Sequence, residues 1–547
     1  MSDPVVDTQF VPGTVITSAW LNGVNDFVNT DGATKVYADA AALTAANAVR
    51  TDLANTTDPL KGAAMVGYKS SLANSVARTV KSKLDESVSV KDFGAVGDGI
   101  TDDTTAFTNA AASGGGVIHV PEGTYLLSSA ITIGNQQYWV GDGQDLTTIN
   151  SSSTTADIFL IPNGTCGIFD MTITRSASTT AGRHIYSSSM VGPTYIHRVT
   201  IVNYFVGIEL NGTGQFVTDI VVRDSTQPAS STSYGILISG GNDQFISNII
   251  GNNAVGKEGT AGLAITQCEG AWVTDSDFIH FKNGVLIAPS GSGFVRFLFF
   301  QNVACDTSTD NGWYFLTGGT ARITTSAFSN CWAASSTNNG ILCQGTGGAI
   351  NGLTWSNTRL VNNGTHGASY QNNISNIVMT GGFITGNSAT TPGSSYGIHI
   401  GANQNDFTFN GIRIGPVGDF ADTQLAGVRV DAGTGNRISI VGCNLNTANT
   451  PVDNQGSGTN NVISDCTGCI LTGFVSTTTD TNGHVTVTHN TGTAPRSIIV
   501  TTQNDSTAIF AQASGVSTTT NFQVKFFSQS GAALVSSAIS FSWAIAF

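Results

Sequence analysis

Apolar and polar positions follow two different periods along the chain. Between residues 31 and 85, the segments KVYADAAALTAANAVRTDLAN and SLANSVARTVKSKLDES space their apolar residues three or four positions apart, which predicts amphipathic helices. From residue 88 onward apolar and polar residues alternate, as in GGGVIHVPEGTYLLSS, which predicts short strands joined by turns. The pattern therefore predicts a helical N-terminal segment that leads into a long β region.

The β region is repetitive. A pattern of glycine, apolar residue, any residue and apolar residue recurs at intervals of 22 to 30 residues. It occurs at Gly207, Gly235, Gly262, Gly284, Gly312, Gly340, Gly367, Gly397 and Gly427. A second set of strands keeps nearly the same intervals, and two or three short strands per repeat are typical of a solenoid. We therefore predict an all-β fold, a right-handed parallel β-helix built as a single-stranded solenoid.

One outward-facing column of this solenoid is apolar. In the glycine pattern the second and fourth residues face the core and the third faces outward, because side chains alternate along a strand. Five consecutive outward residues are apolar or aromatic: Leu237, Ala264, Leu286, Tyr314 and Leu342. An exposed stripe of this kind is typical of an interface. We predict that this sheet faces another subunit, most simply in a homotrimer.

Three regions follow from these patterns. Residues 1–86 form an N-terminal region with predicted helices, and residues 87–468 form the β-helix, on which we expect the binding or catalytic site. Residues 469–547 alternate again, in HVTVTH, SIIVTT and FQVKFF, which predicts a small C-terminal β-sandwich. The sandwich would serve either trimerisation or carbohydrate binding.

Composition narrows the partners. The net charge of −14 argues against nucleic acid and against an anionic membrane surface. No apolar run approaches the roughly 20 residues that a membrane helix needs, so we expect no membrane insertion. The residues before Lys35 lack the charged and apolar regions of a secretory signal. The eight cysteines and eight histidines are scattered, so we expect no metal site and no cofactor.

The acids of GDGITDD are assigned a structural role. Asp102 and Asp103 are predicted in the first turn of a helix whose N-cap is Thr101, where carboxylates favour the helix dipole. That helix has an apolar face suited to closing the N-terminal end of the β-helix. The chemistry is therefore expected further along the chain.

Few carboxylates lie between residues 225 and 430, and four of them are candidates for catalysis. A glycosidase needs two carboxylates that flank the scissile bond, and adjacent turns of a β-helix can supply them. Asp277 is predicted to face outward between Ile250 and Phe299, where apolar neighbours would raise its pKa and suit a general acid. The other candidates lie in loops: Asp306, Asp310 and Glu258. Each of these acids could instead be a solvated loop charge.

Substrate-binding residues are predicted on the same turns. Trp332 follows a strand at a position that the core does not require, which suits stacking against a sugar. Lys282 lies in the shortest repeat, of 22 residues, where a missing loop would leave a groove. The remaining candidates are Arg296, Arg359 and His366. No GxSxG motif is present, and sequence order identifies no Ser-His-Asp pattern.

The stretches VSVKDFGAVGDGITDDTTAF, GGGVIHVPEGTYLL and VGDG resemble the N-terminal motif of the pectate-lyase-like superfamily, in the form common in bacteriophage tailspikes and polysaccharide depolymerases. The N-terminal segments FVPGTVITSAWLNGVNDFV and SVARTVKSKLDESVSVKDFGA are similar to the attachment and neck segments of such tail proteins. The resemblance implies a homotrimer in the virion tail, made in the host cytoplasm. Its N-terminus would join the phage tail, baseplate or an adaptor protein.

The resemblance also implies binding, and often cleavage, of a bacterial surface polysaccharide such as a capsule or O-antigen. The scaffold does not fix the reaction, because hydrolases, lyases and esterases share it. Hydrolysis by an endo-glycosidase with paired carboxylates is the leading interpretation. A lyase with His280 or Arg296 as base and a non-catalytic receptor-binding fibre are the alternatives.

Overall fold

The structure is a computed structural model of the chain. It describes residues 33–114, 116–176, 179–190, 192–226, 232–421, 423–433, 437–446, 450–455, 461–464, 466, 471–482, 484–488, 497–502, 510–514, 521–527, 532–533 and 538–546. The predicted attachment segment at residues 1–30 lies outside this part. The chain divides into two compact units, Met1–Ser87 and Val88–Phe547.

Over its described residues, 33–87, the first unit is helical only in part. Its elements are α1 (Ala33–Leu53), a 3-10 turn (Gly62–Met65), β1 (Gly67–Tyr68), β2 (Arg78–Thr79) and α2 (Val80–Leu84). The prediction of a helix throughout SLANSVARTVKSKLDES is wrong. Asn74 has a left-handed backbone with φ of 64°, and β2 pairs with β1 in an antiparallel hairpin, so only five residues remain helical.

The second unit begins with short strands and one helix. These elements are β3 (Val88–Ser89), a 3-10 turn (Val90–Phe93), β4 (Asp98–Asp102), α3 (Thr104–Ala112), β5 (Val117–Val120), β6 (Gly123–Leu127), β8 (Tyr138–Gly141) and β9 (Thr147–Ser151). Helix α3 buries Ala106, Phe107 and Ala110. The Phe107 ring packs against Trp139 and Tyr125, with centroids 5.6 and 5.3 Å away, so the helix joins the core of the first turns.

Thirteen parallel strands form one sheet along the solenoid, here called the glycine sheet. They are β7 (Ile131–Thr132), β10 (Phe159–Ile161), β12 (Arg183–Ser187), β14 (Val206–Leu210), β16 (Tyr234–Ile238), β18 (Ala261–Ile265), β20 (Asn283–Ile287), β22 (Asn311–Gly318), β25 (Ile341–Thr346), β27 (Ala368–Gln371), β29 (Tyr396–Ile400), β32 (Ala426–Val430) and β34 (Thr450–Asn454). Each strand pairs with the strand one turn away, which confirms the predicted parallel β-helix.

The other strands of each turn form a bent sheet. They are β11 (Cys166–Arg175), β13 (Thr194–Val202), β15 (Gln215–Arg223), β17 (Asn242–Asn252), β19 (Cys268–Ile279), β21 (Phe294–Asp306), β23 (Arg322–Ser329), β24 (Trp332–Ala334), β26 (Ala349–Val361), β28 (Ile374–Thr385), β30 (Asn405–Asn410), β31 (Arg413–Ile414), β33 (Ile438–Val441) and β35 (Val462–Ser464). Because these strands bend in the middle, they present two outward surfaces.

Left-handed residues stacked in one column make the bend. This corner column comprises Asp170, Arg198, Asp219, Asn248, Asp275, Asn302, Asn330 and Asn357, all with positive φ. Asn302 Nδ2 donates to Asp275 Oδ1 over 2.8 Å, and Asn357 does the same to Asn330. Asn and Asp tolerate this conformation better than other residues. We call the outward residues before the corner column the first face and those after it the second face.

The repeated glycines are required by packing between turns. None of the glycines from Gly207 to Gly397 that begin the pattern has a positive φ. A Cβ on Gly340 would lie 2.6 Å from the carbonyl oxygen of Gly367, and a Cβ on Gly367 would lie 2.6 Å from that of Gly397. The carbonyl of each next turn therefore occupies the space that a side chain would need.

Three of the five residues in the apolar column of the glycine sheet are buried, so the column does not form the continuous exposed stripe on which the interface prediction rested. Leu237, Ala264 and Leu286 are only 9%, 0% and 8% exposed within the single chain. They form a small cluster with Val206 and Ala261, against which Phe205, Tyr234, Ala288 and Tyr314 pack. The trimer remains a prediction that this column does not support.

The C-terminal strands form two antiparallel sheets. One contains β36 (Leu471–Thr478), β41 (Ala538–Ala546) and β38 (Ser497–Thr502), and the other contains β37 (His484–Thr488), β40 (Asn521–Phe527) and β39 (Phe510–Ser514). Val485, Phe522 and Val524 from the second sheet share one core with Phe541 and Ile545 from the first. This arrangement confirms the predicted small β-sandwich.

We expect Gly340→Ala to lower the stability of the β-helix. The new Cβ would meet the Gly367 carbonyl oxygen at 2.6 Å and Asn363 Nδ2 at 2.8 Å, and backbone cannot move away cheaply in a stacked sheet. The cost should be about 1–3 kcal/mol. Thermal unfolding followed by circular dichroism measures it as a lower midpoint.

Gly318→Ala is the matched control in the same sheet. Its Cβ would have Thr346 Oγ1 as nearest neighbour at 3.7 Å, an ordinary contact. The change should stay within about 0.5 kcal/mol. Equal unfolding midpoints for the two variants would contradict the packing role of the glycine column.

Candidate functional site

Strand register brings Asp277 and Asp306 onto adjacent turns of the second face. Asp277 in β19 pairs with Ala304 in β21, and Ile279 pairs with Asp306. Asp306 therefore lies one turn on and two residues further along its strand. Strands about 4.8 Å apart with a rise of about 3.3 Å per residue place the two Cα atoms about 8 Å apart. Two of the four predicted acids thus lie side by side.

The neighbours of Asp277 differ in part from the prediction. Its column runs from Ile250 through Asp277 and Ala304 to Trp332. Ile250 is confirmed as a neighbour, but Phe299 is not, because it lies on the first face against Trp272. The cause is the shortest repeat, in which the loop between a bent strand and the next strand of the glycine sheet is shorter than in the turn before it. The intervals of the glycine pattern and of the bent strands therefore differ there.

Burial of Asp277 has an electrostatic consequence. The residue is partly buried, and its Oδ1 atom has no hydrogen-bond partner in the described part of the chain. This burial raises the pKa of Asp277, and the nearby charge of Asp306 raises it further. Both effects favour the protonated form of Asp277, which is the form that a general acid uses.

The loop beside this pair is short. Only His280, Phe281 and Lys282 connect β19 to β20, whereas residues 253–260 connect the corresponding strands one turn earlier. Lys282 lies in this short loop and is partly exposed. The loop therefore places a cation close to the end of the strand that carries Asp277.

Glu258 approaches the same corner but is held by its own loop. It is 8% exposed, and its Oε1 atom accepts a hydrogen bond of 2.7 Å from the Gly256 amide. The same oxygen lies 3.5 Å from His280 Nε2. His280 in turn donates its backbone amide to the carbonyl of Asp306. Glu258 is therefore held within its own loop rather than facing solvent.

Asp310 lies at the other end of its loop. Asn338 Nδ2 donates to Asp310 Oδ1 over 2.7 Å. Burial raises the pKa of Tyr314 on the glycine sheet, and the charge of Asp310 contributes to the same shift. The structure thus associates Asp310 with the glycine sheet, whereas Asp306 is the acid that acts on Asp277.

Two predicted binding residues continue the Asp277 column. Trp332 is 39% exposed, and its strand pairs with β26 so that Trp332 neighbours Arg359. The Arg359 guanidinium lies 5.6 Å from the centroid of the Phe383 ring. An acid, an exposed indole and a cation therefore follow one another along the second face.

The other two predicted binding residues lie elsewhere. Arg296 is on the first face, where Glu269 accepts from its Nε at 3.1 Å and its guanidinium lies over Phe294 and Phe297. His366 is stacked on Tyr396 and on His399, with centroids 5.3 and 4.8 Å away.

His366 is held by its surroundings. Its Nδ1 accepts a hydrogen bond of 3.0 Å from the Tyr396 amide. Burial, followed by the neighbouring His399, lowers the pKa of His366 to about 4. The ring is therefore neutral at physiological pH and packs in a histidine–tyrosine stack of the glycine sheet.

The sequence did not reveal a serine, histidine and aspartate that meet in the structure. Ser369 Oγ lies 3.2 Å from His399 Nδ1, and His399 Nε2 lies 2.9 Å from Asp431 Oδ2. Ser369 is fully buried and also accepts from Gln371 over 3.0 Å. Because no substrate can reach this hydroxyl, the cluster is a buried polar network.

The acids of GDGITDD have the structural role that was predicted, but they fulfil it through contacts other than the predicted ones. Asp103 occupies the N-cap position of α3 and accepts from the amides of Val96 and Gly97. Asp98 accepts from the amides of Ile100 and Thr101. The predicted N-cap at Thr101 is wrong, because Thr101 lies in β4 and the helix begins only at Thr104.

A ladder of aromatic rings on the first face was missed as well. It comprises Tyr195, Phe216, Phe245, Trp272 and Phe299. Each of the first four rings directly precedes an inward Ile or Val in the second repeat pattern, so the repeat itself carried the signal.

Within the described residues, no cluster of three or more His, Cys, Asp or Glu side chains is placed to hold a metal ion. None of the helices in the same part of the chain combines the length and apolar character of a membrane span.

Comparison with known proteins agrees with this architecture. A family model described as "Rhamnogalacturonase A/epimerase, pectate lyase-like" matches residues 87–296. The tail spike protein of an Escherichia phage is 46% identical over 68 residues, and that of Shigella phage Sf6 is 35% identical over 85 residues. These matches cover 12% and 14% of this chain, and the chain spans only 8% and 14% of the lengths of those two relatives.

Among solved structures, the tailspike protein of E. coli bacteriophage HK620 in complex with pentasaccharide superposes with a TM-score of 0.58. The alignment covers 91% of this chain and 99% of the other at 13% identity. At this identity the similarity establishes the fold. The chain has the pectate-lyase-like parallel β-helix, and the resemblance to phage tailspikes stated from its sequence is confirmed.

We expect Asp277→Asn to stabilise the protein at pH 7. Burial raises the pKa of Asp277, so the stability that its protonated form contributes is present below the unfolded value of about 3.9 and is lost as pH rises through the folded value. Asparagine never ionises, so its advantage should grow with pH and vanish in acid. Thermal unfolding measured across pH tests this.

Asp275→Asn is the matched control two residues away. Asp275 is exposed in the corner column, and asparagine is tolerated in its left-handed conformation. It should show no pH-dependent gain. If Asp277→Asn is no more stable than wild type at pH 7, the burial of an uncompensated carboxyl is ruled out.

Proposed function

We propose that this chain is a phage tailspike that binds a bacterial surface polysaccharide, capsule or O-antigen, and depolymerises it as an endo-glycosidase. The observation that carries the proposal is the pair of carboxylates on adjacent turns of the second face, Asp277 and Asp306. The similarity of the fold and of short sequence stretches to phage tail spike proteins supports the assignment.

The two acids have different roles in the proposed reaction. Asp277 is the general acid, because burial and the charge of Asp306 raise its pKa and so favour the protonated form that donates to the leaving glycosidic oxygen. Asp306 is the general base that removes a proton from the attacking water. As the water adds to the anomeric carbon, the glycosidic bond breaks and the leaving oxygen takes the proton of Asp277.

The spacing of the strands favours inversion of configuration. Side chains on one face whose Cα atoms are about 8 Å apart can hold their carboxyl groups at a similar separation, with room for a water molecule between them. Inverting glycosidases separate their carboxyl groups by about 6.5–9.5 Å, whereas retaining enzymes need about 5–5.5 Å. The first product is therefore expected with the anomeric configuration opposite to that of the substrate.

Substrate binding is assigned to the same column. Trp332 offers an exposed indole face for stacking, and charged donors are supplied by Arg359 beside it and by Lys282 in the short loop after β19. A lyase is less well supported, since Arg296 is committed to an ion pair with Glu269 and His280 lies against Glu258. The same proposal places the protein in the virion tail, as a homotrimer attached through its N-terminal region.

We expect Asp277→Asn and Asp306→Asn each to reduce depolymerisation at least about 100-fold, because each removes one acid–base group. Purified host polysaccharides are the substrates, and release of reducing ends measures the rate. Unfolding midpoints measured in parallel show that the variants remain folded.

Asp310→Asn is the control for the second candidate in the same loop. Asn338 holds Asp310 away from the pair, so this variant should keep activity within a few fold of wild type. Full activity of Asp277→Asn, or loss confined to Asp310→Asn, would refute the assignment. Binding of the polysaccharide without any release of reducing ends would identify a non-catalytic fibre.

A further inference from the structure

The aromatic ladder of the first face ends abruptly beside the proposed active site. Its adjacent ring centroids lie 5.2, 4.8, 4.9 and 5.4 Å apart, with planes tilted by no more than 20°. The next positions in this column are Ala327 and then Thr354, which carry no ring. Phe299 is therefore the terminal ring, covered by Trp272 on one side only.

The small residues leave a groove next to Phe299. Its volume is about 220 Å³, and Trp272, Phe299 and Ala327 are among the residues that line it. Phe299 is 40% exposed, which is high for a ring within a stacked ladder. Pockets for drug-sized ligands occupy about 300–1,000 Å³, so this groove is sized for a single ring-shaped unit.

A polar wall stands beside the aromatic floor. It is the neighbouring outward column of the first face, Thr274, Gln301, Ser329 and Ser356. The side chains of Thr274 and Gln301 form no hydrogen bond within the described part of the chain. None of the described residues that line the groove is charged. An apolar platform with free hydroxyl and amide groups at its side is suited to a ligand with one apolar and one hydroxylated surface.

We propose that this groove binds one uncharged sugar residue of the polysaccharide, stacked on Phe299 as the sixth member of the ladder, with Gln301 and Thr274 hydrogen-bonded to its hydroxyl groups. The inference rests on the proposed function and adds a subsite that selects neutral hexose or N-acetylhexosamine units. A subunit contact would favour apolar residues at its centre, whereas this wall consists of hydroxyl and amide groups.

The subsite and the acid pair are connected by the same strands. Thr274 and Asp277 belong to β19, and Gln301 and Asp306 belong to β21, on either side of the corner column. A sugar chain that lies across the exposed corner residues Asp275 and Asn302 therefore runs from the groove to the acids. Occupancy of the groove would fix which linkage is presented for cleavage.

The test uses the full-length protein with Asp277→Asn and Asp306→Asn combined, so that ligands are not consumed. The probes are immobilised bacterial oligosaccharides, both neutral and uronate-containing, followed by calorimetric titration of a bound neutral oligosaccharide. Ala327→Phe fills the groove with the missing ring, and Phe299→Ala removes the platform. Each should weaken binding by about tenfold, the effect of one lost aromatic contact.

Gln301→Ala changes an exposed side chain without affecting the core and should weaken binding severalfold. The matched control is Phe216→Leu, which alters an interior ring of the ladder, covered on both sides, and should leave affinity within twofold. Light scattering of each variant reports the oligomeric state.

Several results would overturn the proposal. These are unchanged affinity of Ala327→Phe and Phe299→Ala, exclusive binding of uronate-containing oligosaccharides, and no oligosaccharide binding at all. Dissociation of an oligomer by Ala327→Phe would identify the groove as a subunit contact instead. The two proposals separate cleanly. If the Asp277 and Asp306 variants cleave normally, the acid pair is refuted but the groove result remains valid. If those variants lose cleavage while the groove variants bind normally, only the groove is refuted.

Discussion

Parallel strands stacked in register from turn to turn are the constraint on which the rest of this molecule depends. Each turn lies about 4.8 Å from the next. The carbonyl oxygen of the glycine on one turn therefore fills the space beside the glycine on the preceding turn, and residues such as Gly340 cannot carry a Cβ. The same stacking aligns Asp275 with Asn302 at the corner and makes neighbours of residues far apart in sequence. Asp277 and Asp306 meet for this reason alone.

The repeat intervals of the sequence correctly predicted the features that recur in every turn of the solenoid. The parallel β-helix and the inward positions of the second and fourth residues of the glycine pattern, such as Trp313 and Phe315, follow from repeated intervals, and the structure agrees. Prediction failed where an interval changed. The glycine pattern shortens to 22 residues between Leu263 and Val285, while the bent strands keep 27 between Ile250 and Asp277. Sequence spacing does not reveal which loop lost the residues.

The remaining errors of the sequence analysis have one physical origin. Loops and neighbouring side chains cover parts of the surface, and the pattern along a single strand does not predict this. The column around Leu237 and Leu286 is closed by neighbouring residues such as Tyr234, which alternation along one strand cannot show. Asp310 and His366 were grouped with the acid pair because their loops lie on the same and neighbouring turns, but Asp310 is hydrogen-bonded to Asn338 and His366 to Tyr396 of the glycine sheet. Among the predicted site residues, those that lie near one another in the structure are the ones on the second face of the bent sheet.

The two faces of the bent sheet meet at one corner, which sets the proposed sugar-binding groove beside the proposed acid pair. The most direct test of the central claim is cleavage of host polysaccharide in water enriched in oxygen-18, with mass spectrometry of the oligosaccharides released. Hydrolysis by Asp277 and Asp306 predicts one oxygen-18 atom at each new reducing end, and no incorporation by the Asp277→Asn variant. Products that lack the label and are lighter by one water would contradict the account, as would an intact polysaccharide.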